Sequence, residues 1–132
     1  MANQDKKILS GRTILLVDDD PLINRMYEQA LIRAGANVFS ASNGVEGMAK
    51  LKENKVDLIL LDILMPQMNG YEMLKQIREN PMTKNLPVII LTNLQDRPED
   101  AEKFKNLGVK HYFNKSKISL KELIAGIAKC FE

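Results

Sequence analysis

Tryptophan is absent, and cysteine and histidine occur once each, as Cys130 and His111. A lone thiol makes no disulfide within the chain, which excludes a disulfide scaffold and leaves a cytoplasmic location as the expectation. Long hydrophobic runs are missing too: no unbroken stretch is longer than Leu58 to Leu61, which is far too short to cross a bilayer. The polar start, residues 1–11, has no apolar core of the kind a secretory signal needs. Charge of one sign is also scarce, with 19 basic residues against 17 acidic ones and a net charge of +2. Lys103, Lys105, Lys110, Lys117, Lys121 and Lys129 are interspersed with acids as on solvated faces, so neither nucleic acid nor membrane insertion is expected.

What remains is ordinary in bulk. The 132 residues, 45% apolar and 27% charged, fit one globular domain able to bury its own core. The order of the residues is more informative. Five short β-like runs, Thr13–Val17, Asn37–Ala41, 56–61, 87–91 and 110–114, alternate with five helix-like segments. ILLV, VDLILL and VIIL are nearly continuously apolar, as strands covered on both faces of a parallel sheet are.

Punctuation places the helices. Pro21 follows Asp20 at a first helical position, and Gly35 closes that helix. Asn43 caps a second, with Val45, Met48 and Leu51 at helical spacing, and Tyr71, Leu74 and Ile77 share a face of the third. The fourth begins at Asp96 and Pro98, turns Ala101, Phe104 and Leu107 inward and stops at Gly108. The fifth opens on a capping box, Ser119 to Glu122, and buries Leu123, Ile127 and Phe131. Residues 1–11 read as a frayed tail and 12–132 as the domain.

Strict β/α alternation predicts an α/β fold, a doubly wound, five-stranded parallel sheet with helices on both faces. Ligands of such sheets bind beyond the carboxyl ends of the strands, near the switch in strand order. The residues at those ends are Asp18, Asp19 and Asp20, then Asp62, then Thr92 and Asn93, then Lys115. A strand order of 2-1-3-4-5 would gather them in one crevice. Crowded carboxylates repel unless a cation joins them, and all-oxygen ligands select a hard cation, Mg²⁺ (or Mn²⁺). A lysine and a hydroxyl beside them can hold an anionic oxygen while an aspartate attacks phosphorus, which makes this a site for forming an aspartyl phosphate.

LLVDDDP, LILLDILMPQMNGYE, VIILT and HYFNKS, in this order and spacing, resemble the receiver domain of two-component response regulators from about Arg12 to Glu132. The flavodoxin-like strand order 2-1-3-4-5 comes with that resemblance. So do the roles: Asp62 as phosphoacceptor, and on the metal Asp19 directly and Asp18 through water, with Asp62 and the backbone carbonyl of Leu64. Thr92 and Lys115 would contact the phosphoryl group, and Tyr112 would turn inward as Thr92 moves. Pro66 and Gly70 would shape the loop after Asp62. The resemblance implies a regulatory phosphoacceptor rather than an enzyme, one that assists only its own phosphorylation and dephosphorylation. A sensor histidine kinase or phosphotransfer protein would supply the phosphoryl group. The face of the fourth helix, fifth strand and fifth helix, about 97–131, would bind an output protein and is where many receivers form homodimers. The chain ends with the fifth helix, as expected of a stand-alone receiver.

Four positions are unusual against the pattern. Ser116 stands where receivers commonly carry a cis proline, and a cis bond to serine costs about 3 kcal/mol, so the placement of Lys115 turns on how this loop is held. Asn93 replaces a small residue, narrowing access to Asp62 or adding a hydrogen bond. Leu64 and Leu94 occupy positions that tune phosphoryl lifetime, and there they would impede the attacking water. Two other readings compete: a pseudo-receiver that only binds partners, and a haloacid-dehalogenase-like phosphatase using Asp18 and Asp20 as a D-x-D pair with Thr92, Asn93 and Lys115. The latter leaves Asp62 without a task. Asp57 reads as a strand-edge charge, His111 as a packed strand residue, and Met65 and Met68 as packing.

Overall fold

The computed structural model describes residues 7–63, 65, 68–92, 98–109 and 111–132, with backbone alone at 98–101. Expectations for Leu64, Pro66, Asn93, Leu94, Asp96, Arg97 and Lys110, and for the side chain of Ala101, lie outside the described residues. The chain runs β1 (Thr13–Val17), α1 (Pro21–Arg33), β2 (Asn37–Ala41), α2 (Gly44–Glu53), β3 (Leu58–Leu61), α3 (Gly70–Glu79), β4 (Val88–Thr92), α4 (Pro98–Asn106), β5 (His111–Asn114) and α5 (Leu120–Lys129). All strand pairs are parallel, in the order β2-β1-β3-β4-β5.

The doubly apolar strands divide their side chains between two cores. Leu15, Val17, Ile59, Leu61, Val88 and Ile90 face one layer with Met73, Leu74, Ile77 and Phe104. Ile14, Leu16, Leu58, Leu60, Ile89 and Leu91 face the other with Tyr27, Leu31, Leu123 and Ile127. Each such aliphatic side chain taken out of water contributes about 1.5–3 kcal/mol, which is why the period-two signal is lost in these strands.

Caps set the helix entries. Asp20 accepts from the N–H groups of Leu22 (3.0 Å) and Ile23 (3.2 Å), and Asn43 from that of Glu46 (2.8 Å). Asn69 with Glu72 and Ser119 with Glu122 form reciprocal capping boxes at α3 and α5. The boundary of the third strand differs from expectation. Asp57 precedes β3, its carboxylate accepting from the Thr13 N–H at 2.8 Å and its own N–H donating to the Thr13 carbonyl at 2.7 Å. A side chain there starts the β1–β3 ladder.

Two further expectations are corrected. In α2 Met48 and Leu51 pack against the core as their spacing implies, but Val45 is exposed and the buried positions are Gly44 and Gly47. A Cβ on Gly47 would come within 2.9 Å of Met73 Cε and 3.2 Å of Val17 Cγ2, because Met73 fills that layer from α3. The frayed tail does not extend to Gly11. Leu9 is fully buried beside Ile14 and Leu31, and its N–H donates to the Ala34 carbonyl at 2.8 Å.

Candidate functional site

Parallel pairing brings the ends of β1 and β3 side by side, with β4 next to β3 and β5 next to β4. Asp18 and Asp62 follow β1 and β3 directly; both are buried, at 2% and 5% exposure, while Asp19 is open to solvent. The Asp62 N–H donates to the Val17 carbonyl at 2.9 Å, carrying the ladder one residue past the strands. One carboxylate oxygen from each of Asp18, Asp19 and Asp62 lies within 4.8 Å of the other two.

Lys115 reaches this cluster from the end of β5. Its Nζ lies 2.6 Å from Asp18 Oδ2 and 3.2 Å from Asp62 Oδ2. Burial pushes the lysine pKa down, but the hydrogen bond to Asp18 and the charges of Asp62 and Asp18 outweigh it, so the net shift is upward. The ammonium therefore stays charged at neutral pH.

Ser116 does not disturb this reach. No peptide bond among the described residues is cis, and Lys115–Ser116 is trans. Asn114 Oδ1 accepts from both the N–H (2.9 Å) and the hydroxyl (2.6 Å) of Ser116, while the Lys115 N–H donates to the Thr92 carbonyl at 2.9 Å. An asparagine-closed turn holds the loop that proline shapes elsewhere.

Thr92, fully buried, ends β4 opposite Asn114. Tyr112 is half-buried, its hydroxyl out of contact with solvent and its ring 5.3 Å from that of Phe104, which in turn lies 6.4 Å from Tyr71. Gly70, at the start of α3, lets that helix close on the site. A Cβ there would collide with the Asp62 carbonyl oxygen and come within 2.7 Å of Ile63 Cα.

The remaining candidates stand apart. Asp20 is committed to capping α1, which takes one member from the D-x-D pair of the phosphatase reading. His111 opens β5 at the end away from Lys115 and stacks on Phe113 at 5.7 Å. Cys130 is half-buried in the last turn of the chain.

Two residues that the sequence reading passed over belong to the site's support. Tyr27, buried under it, has its pKa raised by burial first, with Lys115 acting against and Asp18 and Asp62 adding to the rise. Asn24, also buried, donates to the Asp18 and Ala41 carbonyls. A signal for Asn24 existed: it occupies the inward stripe of α1 with Tyr27, Ala30 and Leu31, where a polar side chain needs buried partners.

The donor set is three carboxylates with no nitrogen or sulfur ligand among the described residues. It fits a hard divalent cation such as Mg²⁺. Beside it a cleft of about 470 Å³ opens between Asp19, Asn24, Ser42 and Glu46, wide enough for a cation to keep part of its water shell.

A family model described as the response regulator receiver domain matches residues 14–128. The chain is 38% identical over 112 residues to a probable cyclic di-GMP phosphodiesterase of Vibrio cholerae, covering 85% of the chain and 25% of that protein. It spans 14%, 46% and 55% of three other curated relatives. With Protein PilH of Pseudomonas aeruginosa it shares 35% identity over 102 residues, 77% of the chain and 84% of that protein. The solved structure of chemotaxis protein CheY4 of Vibrio cholerae superposes with a TM-score of 0.83 at 30% identity, covering 89% of this chain and 97% of that one.

Proposed function

This chain belongs to the response regulator receiver domain family, and we propose that Asp62 is its phosphoacceptor in a two-component or phosphorelay pathway. The observation that carries the reading is the pairing of a buried Asp62 with Lys115 inside a three-carboxylate cluster. A receiver is a regulatory unit. The phosphodiesterase name belongs to a relative of which this chain spans a quarter.

Asp18, Asp19 and Asp62 would hold Mg²⁺ (or Mn²⁺), with the Leu64 carbonyl added on the strength of the family resemblance. When bound, the cation offsets negative charge on the incoming phosphoryl group. An Asp62 oxygen attacks phosphorus, forming a P–O bond as the bond to the donor nitrogen of a phosphohistidine breaks, and the imidazole leaves with that electron pair. Lys115, already charged, moves its second hydrogen bond from the Asp62 carboxylate to a phosphoryl oxygen. The Thr92 hydroxyl donates to another, leaving room for Tyr112 to turn further inward. The face of α4, β5 and α5 then binds an output protein or a second copy of the chain. The phosphoryl donor is a sensor histidine kinase or phosphotransfer protein, and the setting is cytoplasmic. No helix among the described residues is long and apolar enough to cross a membrane. The receiver domain takes in 12–132, extended to Lys7 by the packing of Leu9.

The test is incubation with a small acyl phosphate, with and without Mg²⁺, read by intact mass. One added phosphoryl group, lost without metal and lost in Asp62→Asn, is expected. No adduct in the unaltered protein would overturn the reading in favour of a pseudo-receiver.

A further inference from the structure

Behind the acidic pair, and outside the set of groups that would touch cation or phosphoryl, sits the carboxamide of Asn24. Its Nδ2 donates to the Asp18 carbonyl at 2.9 Å and to the Ala41 carbonyl at 3.1 Å, while its Oδ1 accepts from the Ser40 hydroxyl at 2.7 Å. The side chain is 8% exposed, and its own backbone N–H is tied to the Asp20 carbonyl at 2.8 Å in the first turn of α1. Two donors and one acceptor are in use at once. Aspartate lacks the donors, leucine lacks both, and glutamine is one methylene too long.

The location of the first hydrogen bond gives this arrangement a consequence for the site. The Asp18 carbonyl belongs to the peptide plane that joins Asp18 to Asp19, and that plane is rigid. The preceding peptide, Val17–Asp18, is fixed separately, because the Asp18 N–H donates to the Ala41 carbonyl at 3.1 Å. Ala41 thus receives one hydrogen bond from the backbone of Asp18 and one from Asn24, linking the ends of β1 and β2. Asp18 Oδ1 is held by the Asp20 N–H at 2.9 Å. Asp19 is exposed and lines the cleft, and the position of its Cα follows from the peptide plane that joins it to Asp18.

We infer that Asn24, oriented by Ser40, is a positioning residue that sets the Asp18–Asp19 peptide for divalent-cation binding. The inference rests on the acidic cluster being the cation site. Groups that orient metal ligands from behind typically change affinity by about 10–100-fold when removed. Asn24→Leu, similar in size and without hydrogen bonds, is expected to raise the Mg²⁺ dissociation constant about 10-fold. Ser40→Ala leaves the carboxamide in place but free to rotate, and is expected to produce a smaller rise in the same direction.

The experiment is calorimetric titration of the whole chain with Mg²⁺ alone, with circular dichroism confirming that each variant is folded at the titration temperature. Leu9→Ala, a core truncation before the start of β1, at the end opposite Asp18, serves as the control for general destabilisation. A 10-fold weaker constant for Asn24→Leu beside an unchanged one for Leu9→Ala supports the inference. Should Asn24→Leu fail to fold, Ser40→Ala carries the test, and an unchanged constant in it overturns the inference. Asp19→Asn separates the two levels of the argument. If it binds as the unaltered protein does, the cation-site reading falls; if it loses binding while Asn24→Leu does not, only the positioning role falls.

Discussion

Lys115 Nζ stands closer to Asp18, at 2.6 Å, than to Asp62, at 3.2 Å, so one cation from β5 joins carboxylates from β1 and β3. With both acids almost wholly buried, the lysine is the charge that lets them share a site. Lys115→Met should therefore leave two adjacent buried carboxylates uncompensated, at a cost of about 3 kcal/mol to the metal-free fold. Mg²⁺ should return more stability to the variant than to the unaltered protein, since it replaces the missing charge. Urea unfolding in chelator and in Mg²⁺ measures both, and an equal Mg²⁺ effect on the two proteins would count against the shared-charge account.

Gly70 reverses the usual helix rule. Alanine normally improves on glycine in a helix by about 0.5–1 kcal/mol. Here the added Cβ would meet the Asp62 carbonyl oxygen and Ile63 Cα. Gly70→Ala should destabilise by about 1–3 kcal/mol, the usual range for overpacking, and slow phosphorylation by moving the Asp62 backbone. A gain in melting temperature would show that α3 can retreat from β3.

Alkaline titration should single out Tyr27. Burial is the main cause of its raised pKa, so it should ionise after the ordinary tyrosine range in the folded protein. The folded pKa lies above the unfolded value of 10.0, so this contribution to stability is complete below pH 10.0 and is lost as pH rises through the folded pKa. The upward shift of Lys115 acts with the same sign above its unfolded value of 10.5. Tyrosinate absorbance against pH should show a late step that is missing in Tyr27→Phe, and the variant's stability should fall less steeply in alkali.

The parts of the fold legible in the sequence were those whose cause is local or periodic. ILLV, LILL and VIIL show burial on both faces in their composition, and Asp20, Asn43 and Ser119 cap helices through neighbours within three residues. The site was legible because β/α alternation sends strand ends to one edge, which put Asp18, Asp62, Thr92 and Lys115 there. What escaped depends on contacts between distant segments. The partner of Asn24 on β2, Ser40, is sixteen residues away, and the glycine face of α2 answers to Met73 in α3. The Lys115–Ser116 bond, which the sequence leaves open between cis and trans, is trans in a turn where Asn114 accepts from Ser116 twice. Leu9 was hidden for a different reason: the Ile8–Leu9 pair stands among polar residues, too short a run to show which of the two turns inward.

Leu9 also supplies the sharpest test of where the folded unit begins. It is fully buried among Ile14, Leu31 and Ala36, and its N–H closes on the end of α1 through Ala34. Gly35 makes that closure possible twice over. Its φ of +102° favours glycine, and a Cβ there would lie 2.6 Å from Lys7 Cβ and 3.0 Å from the Ser10 backbone. A frayed segment would make truncation harmless. A packed one makes Leu9→Ala cost about 3 kcal/mol, within the range for emptying a buried leucine site. Deleting residues 1–11 should cost at least as much, because it also leaves the Ala34 carbonyl without its donor. Both are read from the urea midpoint at constant slope, where a shift confined to the deletion would assign the stability to the backbone bond rather than to the leucine side chain.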